Sequence, residues 1–340
     1  MHLANDENFQ VDYYLSAKIA SKLEVKDGAS VTIVKDGPVG ALPFEKMYDH
    51  VIIGTAHRYF NYWNKIVQRC PTSIIVHNIN FSRAKPKALF EAVFVSDIKY
   101  RIKLLLKEGL LKSTKVYRLA KNKFVLDQSM SNNEFKYLPL FYNKTIKSSE
   151  SNDFTIVLPG EVSEHRREYS RVIAKLREWR KSDFQKEFSR FGNSDPGVIN
   201  VVFLGKASSQ FLGDLHKLRE EKKGELEIHF FDSKVDSTIF SSWMTRASVL
   251  WSPIKEKSHF FDLPEFYGKT KMTGAVGDAI AFGKPLVLPS FVQSGLSFIV
   301  SEGENILESL VKASLNDTNF QEDYSYGKVH AWFVEIIMSL

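Results

Sequence analysis

The stretch YGKTKMTGAVGDAIAFGKPLVLPSF, residues 267–291, gathers residues suited to holding an anion. Lys269 and Lys271 stand just upstream of a short apolar segment that Thr273 can cap at its start and Gly283 can end in a left-handed turn. Lys284-Pro285 then blocks continuation, so the spacing predicts a helix over 274–282. Gly274 and Gly277 would bare the first N–H groups at the positive end of that helix to a negative ligand. Asp278 lies one turn inside, where a carboxylate can accept hydrogen bonds from ribose or sugar hydroxyls. A second stretch, LPGEVSEHRREY (158–169), follows an apolar strand and carries Gly160, His165, Arg166 and Arg167, with Ser163 read as the cap of the next helix. Guanidinium groups match phosphate oxygens in pairs, and open α/β sheets bind ligands at the carboxyl ends of their strands. Together the two stretches imply a nucleoside diphosphate. The bland alternatives are a tightly packed helix that needs small residues and a solvated helix start laced with ion pairs.

A third group belongs to the first half. His57 in GTAHRYF, His77 in VHNINF and Asp6 with Glu7 in NDEN each follow a strand-like segment and are expected to line one sheet edge. Any of them could take a proton from an attacking hydroxyl, though a single histidine after a strand is more often structural.

These residues need a scaffold, and the apolar pattern supplies one. In the first half, MHL, SVTIV, VIIGT, TSIIVHN, AVFVSD, KVYRLA and NKFVLDQ read as strands, with helices over VDYYLSAKIASKL, RYFNYWNKIVQR and KYRIKLLLKEGL. FYNKTIKSSESND (141–153) is polar and aperiodic, marking a linker with a boundary near residue 148. The same grammar then restarts: FTIVLPG, a helix over SEHRREYSRVIAKLREWRKSDF, NVVFLG, a helix near 208–222, LEIHFFD, SSWMTRASVLWSPI and KPLVLPS. Continuous apolar strands alternating with helices define an α/β fold of parallel sheets, here two Rossmann-like domains facing a central cleft. The expected units are 1–147, an acceptor domain, 148–325, a donor domain, and 326–340, a helix packing back across to the first.

Size and composition agree. The 340 residues suit two domains, and 44% hydrophobic with 25% charged residues is ordinary globular composition. Cys70 is the only cysteine, which excludes an internal disulfide and a multi-cysteine zinc site. GxGxxG, GxxxxGK[ST], HExxH and GxSxG are all absent. The net charge of +6 is uneven: residues 1–150 hold 23 Lys+Arg against 14 Asp+Glu, leaving 46−23=23 against 40−14=26 for the rest. Twelve basic residues between Arg83 and Lys123 face only Glu91, Asp97 and Glu108, a region that would attract phosphates on an anionic membrane surface, a nucleic acid or a charged substrate, the bland alternative being a well-solvated basic surface with no partner. The aromatic residues there sit in apolar contexts, so nucleic acid is the less favoured partner. The start MHLANDENFQ has no basic-then-apolar signal, and a cytoplasmic location is expected, with the basic region able to rest on the inner face of the membrane.

With these residues in view, the chain resembles the GT-B glycosyltransferases. GAVGDAIAFGKPLVLPS is similar to the donor-site signature of their family-4-type (group 1) members, in which an acidic residue begins a helix ending in Gly-Lys-Pro. By that match Asp278 holds the second acidic place and would contact the ribose. Thr270 stands at the first, where members carry the carboxylate that contacts the donor sugar. LPGEVSEHRREY is similar to the family's first donor-domain strand and turn, and Arg166 or Arg167 would neutralise the diphosphate. The resemblance implies transfer of a sugar from a nucleotide-sugar substrate to a saccharide or lipid-linked acceptor, in polysaccharide or glycolipid synthesis, with no metal and no further cofactor. Gly160, Arg166, Arg167, Lys271, Thr273, Gly274 and Asp278 would form the donor site, and His57, His77, Asp6 or Glu7 the base of an inverting route. A nucleotide-sugar epimerase of the same fold and a non-catalytic basic nucleic-acid-binding module are the competing readings.

Overall fold

The computed structural model describes residues 2–4, 6–28, 30–34, 48–144, 152–193, 195–316 and 319–340. The boundary expected near residue 148 lies outside the described residues.

Two parallel sheets organise the chain. In the first half, β3 (Val51–Ile53), β4 (Thr72–Ile75), β5 (Asn122–Val125) and β6 (Phe135–Tyr137) pair in simple sequence order. The preceding β1 (Tyr13–Ser16) and β2 (Val31–Val34) form a separate two-stranded parallel sheet. The second half contributes β7 (Phe154–Pro159), β8 (Ile199–Lys206), β9 (Glu227–Phe231) and β10 (Val249–Trp251). After the antiparallel hairpin of β11 (Lys257–Phe260) and β12 (Leu263–Phe266), β13 (Leu286–Leu288) and β14 (Ile299–Ser301) complete the sheet. Its spatial order is β9-β8-β7-β10-β13-β14. Counted within that half this is 3-2-1-4-5-6, the doubly wound Rossmann order, whose direction of winding reverses between its first and fourth strands.

Burial explains why these strands lack polar alternation. All six residues of β7 are buried. Phe154, Ile156 and Leu158 join a core roofed by the helices Tyr169–Glu178, Lys181–Arg190, Ser209–Glu221 and Ile306–Ser314. Val157 points into the opposite core, under the helices Ser237–Arg246 and Gly274–Phe282. Water reaches neither face, so the strand is apolar throughout except for the hydrogen-bonded Thr155.

Two elements tie the halves together. The final helix, Tyr326–Met338, returns to the first sheet, where Val329 and Phe333 pack with Leu3, Ile75, Phe124 and Leu138. The β11–β12 hairpin reaches the same way, laying Phe260, Phe261 and Leu263 on the first-half core. Its two-residue tip, Phe261 and Asp262, has φ of 56° and 58°. Such a tip favours Asn-Gly, so these residues are held in place from outside. Arg101 does the holding: its guanidinium stacks 4.6 Å from the Phe261 ring and pairs with the Asp262 carboxylate.

Several sequence expectations are corrected. MHL is not a strand: His2–Ala4 form a short 3-10 turn, whose Leu3 is spent on packing. The helix expected over VDYYLSAKIASKL divides into β1 and the helix Ala17–Lys22, because the β-prone Tyr13-Tyr14-Leu15 run pairs with β2. AVFVSD ends one helix, Pro86–Ala92, and turns into the next at Asp97, while KVYRLA lies in the helix Ser113–Leu119. In both, the apolar run is too short to show its period. The front of SSWMTRASVLWSPI likewise belongs to the helix Ser237–Arg246, capped by Asp236.

Candidate functional site

A cavity of about 510 Å³ opens where the strand order reverses. Its wall combines Gly160, Glu161, Ser163, His165, Arg166 and Arg167 from the loop after β7 with Ile254 after β10. The far side is Tyr267, Lys271, Met272, Thr273 and Gly274. Both diverging strands therefore deliver their carboxyl ends to one crevice, the position at which open α/β sheets bind ligands.

The arginine arm is a loop, not a helix start. Residues after Gly160 remain irregular until the helix Tyr169–Glu178, whose capping position is Glu168 without a side-chain cap. Ser163 therefore caps nothing, and the long helix expected from it is interrupted again at Trp179-Arg180. The loop is pinned instead by backbone pairing: Glu168 N–H donates to Pro253 O (2.8 Å) and Lys255 N–H to Arg166 O (3.0 Å). Gly160, at φ 104°, makes room for the Arg167 guanidinium, since a Cβ there would stand 2.5 Å from its Nη1. Gly205 on β8 has an equally definite reason to be glycine, because its Cβ would lie 2.2 Å from Gly160 O. Arg167 Nη1 donates to Glu161 O at 3.2 Å, while Arg166 stays exposed at the cavity wall.

The opposite arm is the helix Gly274–Phe282. Thr273 Oγ1 accepts from Ala275 N–H (3.4 Å), and Gly283 closes the helix at φ 61°. The two glycines of its first turn do different jobs. Gly274 is exposed, with open space where a Cβ would point. Gly277 does not open the helix to a ligand as expected: it is buried, and a Cβ there would stand 2.6 Å from the Phe141 ring. Asp278 is not among the cavity-lining residues but couples to Arg167, which is. Burial pushes its carboxyl up to about 6, against the opposing pull of Arg167 and Lys144. No hydrogen bond among the described residues reaches that half-buried carboxylate, and a carboxyl shifted by burial beside a cavity marks functional sites more often than cores.

The residue that sequence reasoning missed is Glu265. Only 2% exposed, it accepts from Asn78 Nδ2 (2.8 Å) in the first half, from Ser258 Oγ (2.6 Å) and from Lys271 Nζ. Burial alone would raise its carboxyl, but hydrogen bonds from Lys271 and Ser258 and the charges of Lys271 and Arg166 hold it below the usual range. Its only advertisement was an acid, one of two with Asp262, in the otherwise apolar run FFDLPEFYG. Lys271 lines the cavity, yet it is not a free cation. Burial lowers its ammonium, Glu265 works against that, and Arg166 adds to the lowering. The neighbouring Thr270 hydroxyl is used up in a tight turn, accepting from Phe266 N–H at 2.9 Å. Its carbonyl accepts from Ile79 N–H (2.9 Å), another tie to the first half.

On the first-half side the structure joins His57 and His77, with ring centroids 6.1 Å apart. His57 sits between Phe81 and Phe260, and burial first, then the neighbouring His77, lowers it to about 4. His77 is exposed, with Nε2 2.8 Å from Gly54 O. A carbonyl only accepts, so Nε2 carries the hydrogen and Nδ1 holds the free lone pair. Asp6 and Glu7 do not follow a strand, and among the described residues no hydrogen bond or ion pair joins them to the two histidines. The Asp6 carboxylate accepts from Asn8 N–H (2.8 Å) and lies 3.4 Å from His330 of the final helix, while Glu7 is exposed. Within the basic region, Arg101 is buried against Asp262, and Arg83 and Lys123 share Glu134, so part of the excess is neutralised internally.

No protein-family model matches the sequence, and no curated protein does. Among solved structures, HepE of Anabaena, determined with UDP and glucose, aligns at 12% identity over 95% of this chain and 89% of that one, with a TM-score of 0.47. The N-terminal domain of Candida albicans trehalose-6-phosphate phosphatase aligns at 11% identity over 86% and 70%, with a TM-score of 0.46. Trehalose 6-phosphate synthase of Burkholderia multivorans aligns at 9% identity over 85% and 71%, with a TM-score of 0.42. At superposition scores this low the likeness adds no weight of its own. The architecture stands on the chain's own topology: two parallel sheets, the second in Rossmann order, and a final helix returning to the first, as in the GT-B fold.

Proposed function

We propose that this chain is a glycosyltransferase that moves a sugar from a nucleoside-diphosphate donor to an acceptor hydroxyl. The observation that carries the reading is the cavity at the reversal of strand order, where Arg166, Arg167 and the open amide end of the Gly274 helix converge. A departing diphosphate gains charge as the bond to the sugar breaks, and fixed donors aimed at that charge stabilise the transition state more than the ground state. Arg166 is the exposed cation for the phosphates. Arg167 braces the loop through Gly160 and Glu161 and offers its remaining N–H groups. Lys271, neutralised by Glu265, positions rather than binds. Asp278 takes the ribose hydroxyls.

For an inverting route His77 is the favoured base, because its Nδ1 is free and its ring is exposed, whereas His57 at about 4 is a weak proton acceptor near neutral pH. Epimerisation would need an unspent acid and base beside the donor sugar, and Glu265 and Lys271 are committed to each other. A saccharide or lipid-linked acceptor, a role in polysaccharide or glycolipid synthesis and the absence of a metal requirement belong to this proposal.

The test is a thermal-shift panel of nucleoside diphosphates and nucleotide sugars on the wild type, Arg166→Ala and Asp278→Asn. A specific nucleotide at roughly 100 times its Kd should stabilise the wild type by about 2.7 kcal/mol. If no nucleotide does so, the donor site is misassigned. For a donor so identified, His77→Gln should lower kcat by roughly 10²–10⁴-fold with little change in nucleotide affinity.

A further inference from the structure

The helix Ile98–Leu106 and the turn before it present an apolar ridge to solvent. Ile98, Ile102 and Leu106 recur every fourth residue and are all exposed, Leu106 to 73%. Phe94 and Val95, in the preceding turn, are exposed to 54% and 66%, and Phe90 packs edge-on against Phe94 with ring centroids 5.3 Å apart. Exposed large apolar residues scattered singly need no explanation, but five within one helix and the adjoining turn, with Phe90 of the preceding helix beside them, do. No packing among the described residues accounts for them, since the core side of the helix is already provided by Arg101 and Leu104.

Lys99, Lys103 and Lys107 follow the stripe one residue on, forming a parallel basic row along its edge. All three are exposed, and no carboxylate lies within ion-pair distance of them among the described residues. Lys85 and Lys87 add to the rim near Phe90, Lys87 lying 3.9 Å from the Glu91 carboxylate. An apolar stripe edged by exposed lysines suits a helix lying in the plane of an anionic bilayer, with its apolar residues among the acyl chains and its ammonium groups snorkelling to the headgroups. Glu91 and Asp97 are the acidic members of this rim, which is otherwise basic, and a nucleic acid would not use the aliphatic ridge. Among the described residues no helix is long and apolar enough to cross a membrane, so contact of this kind would be peripheral.

We propose that the ridge from Phe90 to Leu106, with its row of lysines, docks the first half of this protein onto an anionic lipid surface. The inference stands on this surface alone and not on the donor site. Inwardly the same helix grips the tip of the β11–β12 hairpin through Arg101, so the docking face is rigidly joined to the strand that carries Glu265.

Co-sedimentation with vesicles of phosphatidylcholine alone, and of phosphatidylcholine mixed with phosphatidylglycerol, tests the idea on the full chain. The wild type should pellet with the mixed vesicles and not with the neutral ones. Changing Lys99, Lys103 and Lys107 to Gln should weaken partitioning on the order of 100-fold, and Ile102→Ser with Leu106→Ser about tenfold or more. These positions are exposed, so thermal melts and nucleotide-induced shifts should be unchanged, which separates failure here from failure of the donor site. Absence of binding to anionic vesicles overturns the proposal. So does binding that survives the Ser substitutions, which would make it charge attraction alone. A dimer in sedimentation velocity that Leu106→Ser dissociates, with vesicle binding intact, would assign the ridge to self-association and overturn it as well.

Discussion

Asp278→Asn offers the sharpest test of the site, because it should improve stability and damage binding together. In the folded chain burial raises the Asp278 carboxyl from 3.8 to about 6. A group that binds its proton more tightly when folded opposes folding once ionised. Stability is therefore lost as pH rises from the unfolded value to the folded one, and stays lost above it. A rise of about two, at about 1.36 kcal/mol for each, is on the order of 3 kcal/mol. Asp278 is only half-buried, so solvent screening reduces this to about 1–3 kcal/mol. Asparagine keeps the shape and drops the charge. Urea unfolding followed by tryptophan fluorescence should find the variant more stable at about pH 7.5, with the gap closing towards pH ~4. Nucleotide affinity should fall roughly 10–100-fold, the worth of a charged hydrogen bond. A variant no more stable than wild type near neutrality, or a gap indifferent to pH, would refute the reasoning that an unsatisfied carboxylate is kept there for a ligand.

The two glycines of the same helix should separate cleanly. Gly277→Ala forces a methyl against Phe141 and should cost about 1–3 kcal/mol for overpacking, less about 1 kcal/mol of helix propensity, whereas Gly274→Ala should leave the melt within about 0.5 kcal/mol and weaken nucleotide binding by calorimetry. Observing the reverse would return Gly277 to the ligand side. Glu265→Gln should destabilise by about 3–5 kcal/mol, since it strands the Lys271 charge, and adding Lys271→Met should recover much of that; strictly additive losses in the double-mutant cycle would dissolve the pair. Asp262→Ala leaves the buried Arg101 uncompensated and should cost about 1–3 kcal/mol while exposing the hairpin to limited proteolysis; a hairpin as protected as in the wild type would mean Arg101 does not hold it.

How far these features were legible from sequence depends on the range of the forces behind them. Thr273, Gly274 and Gly283 mark a helix by local rules of capping and backbone freedom, and the structure has that helix at 274–282. FTIVLP announced a strand buried on both faces for the same reason, because its composition answers to water rather than to any one neighbour. Where two local preferences compete, as in VDYYLSAKIASKL or KVYRLA, the sequence left the choice open and packing made it.

The sequence by itself determined that an α/β chain carries arginines and a short glycine-started helix after its apolar strands, since strand, cap and turn are written within a few residues. Only the tertiary structure decided that these arms meet at the reversal of strand order. It also decided that Gly277 serves Phe141, that Asp6 turns to His330, and that Lys271 is bound to Glu265. Those pairings join residues distant along the chain, and their energies arise only when folding removes the water between them.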